Sequence, residues 1–145
     1  MSKADIAKEN FLSGLNCCQA VVLAFKDEIG LPEPTLKKLS IGFGGGFARQ
    51  RLICGAVSGL NIVLSYVLSD GADKGKIYTI IQRACERFKT ETGSIICGEL
   101  LTGAAAKNVS PIPEERSAEY YKKRPCADLC ALAAEIAESV INGYY

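Results

Sequence analysis

Seven cysteines in 145 residues, with no histidine anywhere, make thiol chemistry the first possibility this chain raises. Without imidazole there is no Ser–His or Cys–His nucleophile pair and no histidine metal ligand. In a reducing compartment, thiols at this density point to catalysis, redox sensing or metal binding rather than structural disulfides. Cys17 follows Asn16, a strong N-cap residue, and Gln19 completes the pattern of a capping box. Cys54 falls in the expected first turn of a long apolar helix, with Arg49 and Arg51 just before it. Cys97 lies three residues after Ser94, near another expected helix start, and Cys126 follows Pro125 and the basic run Lys122-Lys123-Arg124. Helix N-termini and nearby cations both favour the thiolate. Cys54, Cys17, Cys97 and Cys126 are therefore the candidate catalytic residues. Cys54 is the expected nucleophile, because a helix start and two arginines act on it together, and the other three are candidates to resolve the intermediate.

The remaining cysteines have plainer explanations. Cys85 sits mid-helix on an apolar face and reads as a small buried hydrophobe. Cys18 is expected to pack, although it neighbours Cys17, and Cys130 lies one turn beyond Cys126 on the same helix face. No CxxC pair occurs, so a partner thiol must come from tertiary proximity. The same four favoured cysteines could instead supply four thiolates to zinc or an iron–sulfur cluster. A third reading is a small ligand-binding or adaptor module without turnover.

The glycine run Gly42-Phe43-Gly44-Gly45-Gly46 is not a phosphate loop. The dinucleotide fingerprint would need glycine where Phe47 stands, and the Walker Lys-Ser/Thr is missing. It reads as a tight turn with positive φ at one or more glycines, bringing backbone close to the thiols. The amides of Gly44, Gly45 and Gly46 are a weaker candidate for holding an anion. Tyr120 and Tyr121 are placed to cover the Cys126 helix start. Glu99, two residues beyond Cys97, reads as a solvated charge or a proton acceptor for a thiol.

The elements that must position these residues are helical. Apolar residues recur at helical spacing, and no Asn-Gly turn joins alternating runs. Helices are expected over residues 2–12, 17–29, 36–42, 74–90 and 95–101, and from Pro125 to Ile141. Residues 102–123 form an irregular loop with a brief helix at about 114–122. Residues 52–68 are free of charge, and a helix without a polar face belongs inside a core or in lipid. Seventeen apolar residues diluted by Gly55, Ser58, Gly59, Asn61 and Ser65 fall short of the roughly 20 that span a bilayer. Gly55 and Gly59 suit close helix packing. The expectation is an all-α protein, one compact domain over residues 1–145, with six to seven helices around a buried central helix at about 53–68.

A net charge of +1 gives no electrostatic reason to bind nucleic acid. The N-terminal MSKADIAKENF lacks an apolar signal core, so a cytoplasmic location is expected. The implied partners are a redox protein or a small thiol or disulfide molecule. The glycine-rich apolar helix fits a homodimer interface as well as a core.

In order along the chain stand Asn16-Cys17-x-Gln19-Ala20, Gly42-Phe43-Gly44-Gly45-Gly46, Cys54-Gly55-Ala56-x-x-Gly59, Cys97-x-Glu99-Leu100 and Cys126 followed by Ala133-Ala134-Glu135-Ile136. This set resembles the C-GCAxxG-C-C family of small bacterial and archaeal redox-type proteins, over residues 6 to 141. The resemblance implies an all-helical fold and a redox role. It carries the family's four cysteines onto Cys17, Cys54, Cys97 and Cys126, and makes no demand of Cys18, Cys85 or Cys130.

Overall fold

In the computed structural model, which describes residues 1–145, the one strand-like pairing is an antiparallel bridge between Ile53 and Ile96. All other regular structure is helical: α1 (Lys3–Leu12), α2 (Cys17–Ala24), α3 (Lys26–Ile29), α4 (Glu33–Ser40), a 3-10 turn (Ile41–Phe43), α5 (Gly44–Phe47) and α6 (Gly55–Leu68). There follow α7 (Lys74–Thr92), α8 (Cys97–Leu100), α9 (Ala104–Lys107), α10 (Ala118–Lys123) and α11 (Cys126–Ile141). The fold class is all-α, as expected. The pieces outnumber the six or seven expected because α3, α5, α8 and α9 are four-residue turns. The expected helix 17–29 breaks at Phe25, whose N–H turns back to the Val22 carbonyl at 3.1 Å. Thr35, which the sequence places as the cap of the expected helix 36–42, lies inside α4 instead. Pro32 takes the N-cap, and Pro34 occupies the first turn, where its missing N–H costs nothing.

Helix α2 is the most enclosed element: every residue from Cys18 to Ala24 is buried. Around it pack α1, α6 and α11. Helix α6 buries Val57, Leu60, Val63 and Leu64 yet leaves Asn61 and Tyr66 exposed, so the centre expected at 53–68 belongs equally to α2. A Cβ on Gly59 would lie 2.9 Å from Val21 Cβ and 3.0 Å from the Cys18 carbonyl. Glycine there lets the two backbones approach, the close packing the sequence suggested. No helix is long and apolar enough to cross a membrane.

The turn before α6 has an unusual hand. Gly45, Gly46, Phe47, Ala48 and Arg49 have φ of 67°, 75°, 65°, 56° and 66° in succession, and Arg51 follows at 62°. Positive φ was expected at the glycines alone. Here it extends to four residues with side chains, each at a cost of about 1–2 kcal/mol. Backbone bonds close the turn, among them Arg49 N–H to Gly44 O at 3.1 Å, Arg51 N–H to Gly45 O at 3.3 Å and Leu52 N–H to Gly46 O at 2.9 Å.

Candidate functional site: a thiol-lined cavity

Each favoured cysteine stands at a helix beginning. Cys17 and Cys126 are the first residues of α2 and α11, Cys97 is the first of α8, and Cys54 is the N-cap of α6 rather than part of its first turn. All four line a single cavity of about 320 Å³. Local interactions explain how. The Asn16 side chain accepts from the Gln19 N–H at 2.9 Å while Gln19 accepts from the Asn16 N–H at 3.1 Å, the capping box foreseen. Asn16 Nδ2 also donates to the Ile41 carbonyl at 2.9 Å, tying the start of α2 to the glycine turn. Cys54 and Cys97 meet because their segments pair: Cys54 N–H bonds Ile95 O at 2.8 Å, and Cys97 N–H bonds Leu52 O at 2.6 Å. Gly46 makes that approach feasible, since a Cβ there would lie 2.6 Å from Cys97 Cβ.

The electrostatics separate the thiols. Cys17 is held well below the ordinary thiol value. The neighbouring Cys126 thiol lowers it most, then the Cys130 thiol, and burial opposes them; the Gly45 N–H and the Arg116 charge add to the lowering. Cys130 also donates to the Cys17 carbonyl at 3.7 Å. Cys54 does not have the thiolate character expected of it. Burial pushes it up to about 12, and the Ala56 and Val57 amides offset this only in part. Neither arginine serves it: Arg51 Nη1 reaches Cys97 Sγ at 3.8 Å, and Arg49 turns to the Ser110 and Ile112 carbonyls and to Glu114. Burial raises Cys97 despite Arg51. Cys126 is raised by its bond to Cys17 and by burial.

Of the other cysteines, Cys18 is fully buried in the core and Cys85 is half-buried on α7, neither lining the cavity. Cys130 is fully buried behind the wall and acts on Cys17 from there, more than its plain reading implied. Glu99 accepts from the Ser94 hydroxyl at 2.6 Å and does not line the cavity. Tyr120 lines the cavity; Tyr121 packs edge-on against Phe11 instead. Two cavity residues escaped the sequence reading. Arg116 donates to the Phe11 and Leu15 carbonyls, both at 3.0 Å, and lies 4.3 Å from the Phe11 ring centre. Glu114 pairs with Arg49 and Arg124. Both sit in the irregular loop, where no periodicity marks which charges turn inward.

The four family-pattern thiols share a wall without surrounding one point. No group of three or more Cys, Asp or Glu side chains is arranged to hold a metal ion, as a tetrahedral thiolate site requires.

An all-helical fold with a thiol-lined cavity at converging helix starts describes a class of protein suited to sulfur redox chemistry. The chain belongs to the C_GCAxxG_C_C family, described as "Putative redox-active protein (C_GCAxxG_C_C)", whose model matches residues 15–140. No curated protein and no solved structure matches it.

Proposed function

We propose that the protein performs thiol–disulfide exchange, with Cys17 as the attacking thiolate and Cys126 as the resolving thiol. The observation that supports this is that Cys17 and Cys126, each the first residue of its helix, line the same cavity, with Cys17 the one thiol whose ionised form is favoured. The Cys17 thiolate attacks one sulfur of a substrate disulfide. A bond forms between Cys17 and that sulfur, and the other half leaves as a thiolate. Cys126 then gives its proton to the departed thiolate and attacks the Cys17 sulfur, releasing the second half as a thiolate that takes a proton from solvent. Two protein thiols are oxidised to a Cys17–Cys126 disulfide, and one substrate disulfide is reduced to two thiols. An external dithiol, from a partner protein or a small molecule, reverses the oxidation. Cys54 and Cys97 form the rest of the wall as neutral thiols.

The test is to reduce the protein anaerobically, add one equivalent of a small disulfide, count the remaining thiols and map the linked pair by mass spectrometry. The wild type is expected to lose two thiols and link Cys17 to Cys126. Cys126→Ser is expected to accumulate the mixed disulfide on Cys17. A Cys17→Ser protein that consumes the disulfide at the wild-type rate overturns the assignment. Stoichiometric zinc or iron retained through anaerobic purification would favour the four-thiolate reading, and binding without thiol loss would favour a ligand module.

A further inference from the structure

The cavity wall is cationic beyond what its thiols use. Arg49, Arg51, Arg116 and Arg124 line it, against one acid, Glu114. Three of these arginines have structural work. Arg49 and Arg124 share Glu114, while Arg116 is spent on two carbonyls and an aromatic cluster. Arg51 differs. It is 6% exposed and forms no ion pair. Nε donates to the Asn108 carbonyl at 3.0 Å, Nη1 lies 3.8 Å from Cys97 Sγ, and Nη2 is buried with no hydrogen-bond partner. A guanidinium is always charged, and a buried charge without a counterion is strongly disfavoured. Cys97 is a poor source of the missing anion, because burial pushes its thiol up. Arg51 thus brings to the cavity lining a charge that no acid of the chain pairs.

We propose that the cavity selects sulfur substrates bearing a carboxylate or similar anionic group, with Arg51 as the residue that holds the anion. The sulfur half of this proposal rests on the exchange reading; the anion half does not. A cavity of about 320 Å³ suits a small organic disulfide. Beside Arg51, Cys97 Sγ and the Gly45 turn set the depth the anion can reach, since a Cβ on Gly45 would already lie 3.5 Å from Nη1. The turn whose Gly45 amide supports the Cys17 thiolate is thus also the turn against which Arg51 lies.

The experiment compares three disulfides of one scaffold: 3,3′-dithiodipropionate (anionic), 2-hydroxyethyl disulfide (neutral) and cystamine (cationic). Rates of mixed-disulfide formation on the reduced protein are divided by those of free 2-mercaptoethanol, which removes intrinsic reactivity. The expected order is anionic, neutral, cationic, with the first two differing on the order of tenfold or more, the scale of a hydrogen bond to a buried charge. In Arg51→Gln that ratio is expected to fall to the free-thiol value, whatever happens to the absolute rates. Suberate, the same dicarboxylate with methylenes in place of sulfur, reads anion binding without any reaction. It is expected to bind the wild type in calorimetry and to shift the Arg51 Nε–H resonance. The resonance shift needs no variant, so a folding failure of Arg51→Gln leaves the proposal decidable. Equal normalised rates overturn it, as does a suberate titration that shows no binding or leaves Arg51 unmoved. If suberate binds through Arg51 while none of the three disulfides reacts, the anion site stands and the exchange reading falls.

Discussion

At the scale of single residues, the decisive contrast is between Cys17 and Cys54. Both stand at helix starts, so the helix dipole acts on both. What separates them is donors. Cys17 receives thiol donors from Cys126 and Cys130 and an amide from Gly45, whereas Cys54 has two amides against dominant burial. Alkylation by iodoacetamide should therefore concentrate on Cys17 at about pH 6–7, below the ordinary thiol value of about 8.5. Cys54→Ser is expected to retain that reaction, and Cys130→Ala to move its midpoint upward by removing one donor. Peptide mapping across a pH series checks both. Labelling that falls first on Cys54 would contradict the donor argument.

At the scale of elements, the left-handed turn at Gly45–Arg49 shapes the site and holds local strain. Gly46 is required by space as well as by φ: a Cβ would lie 2.6 Å from Cys97 Cβ and 2.8 Å from the Leu52 backbone nitrogen. Gly46→Ala should cost about 2 kcal/mol or more, because the obstructing atoms include backbone that cannot swing aside. Ala48 is exposed with φ 56° and ψ 47°. Ala48→Gly should stabilise by up to about 1 kcal/mol, since glycine adopts this conformation without strain but loses more entropy on folding. Urea unfolding measures both. Opposite signs for the two substitutions are the signature of the turn, and a destabilising Ala48→Gly would argue against it.

At the scale of the whole molecule, the thiols link stability to pH. Cys18, Cys54, Cys85, Cys97, Cys126 and Cys130 are all raised, while Cys17 alone is lowered. A raised thiol keeps its proton in the fold where the unfolded chain has lost it. Its contribution is complete below the unfolded value of about 8.5 and is lost as pH rises through the folded value, for Cys54 about 12. Cys17 works in the opposite sense: its contribution is present above the unfolded value and is lost as pH falls through its depressed folded value. Six raised thiols outweigh one lowered, so the urea midpoint should begin to fall near pH 8.5–9, about where unfolded thiols ionise. A midpoint unchanged to about pH 10 would show that the thiols are far less enclosed than the fold makes them.

Much of this was readable from the chain alone. Local signals carried the helices: Asn16 and Gln19 spelled a capping box, Pro125 marked the start of the last helix, though as its cap, and the uncharged stretch after Cys54 announced a buried helix. They also singled out the four cysteines that share the cavity, because an N-terminal helix position is written in neighbouring residues. Which thiol becomes the thiolate was not readable, since the groups that favour it at Cys17 come from Gly45, Cys126 and Cys130, all distant in the chain, and the nearby arginines turn elsewhere. Nor was the inward turn of Arg116 and Glu114, or the left-handed winding past the glycines. Hydrogen-bond donation and desolvation depend on which atoms meet in space, and only the packed helices bring Cys126, Cys130 and Gly45 to the sulfur of Cys17.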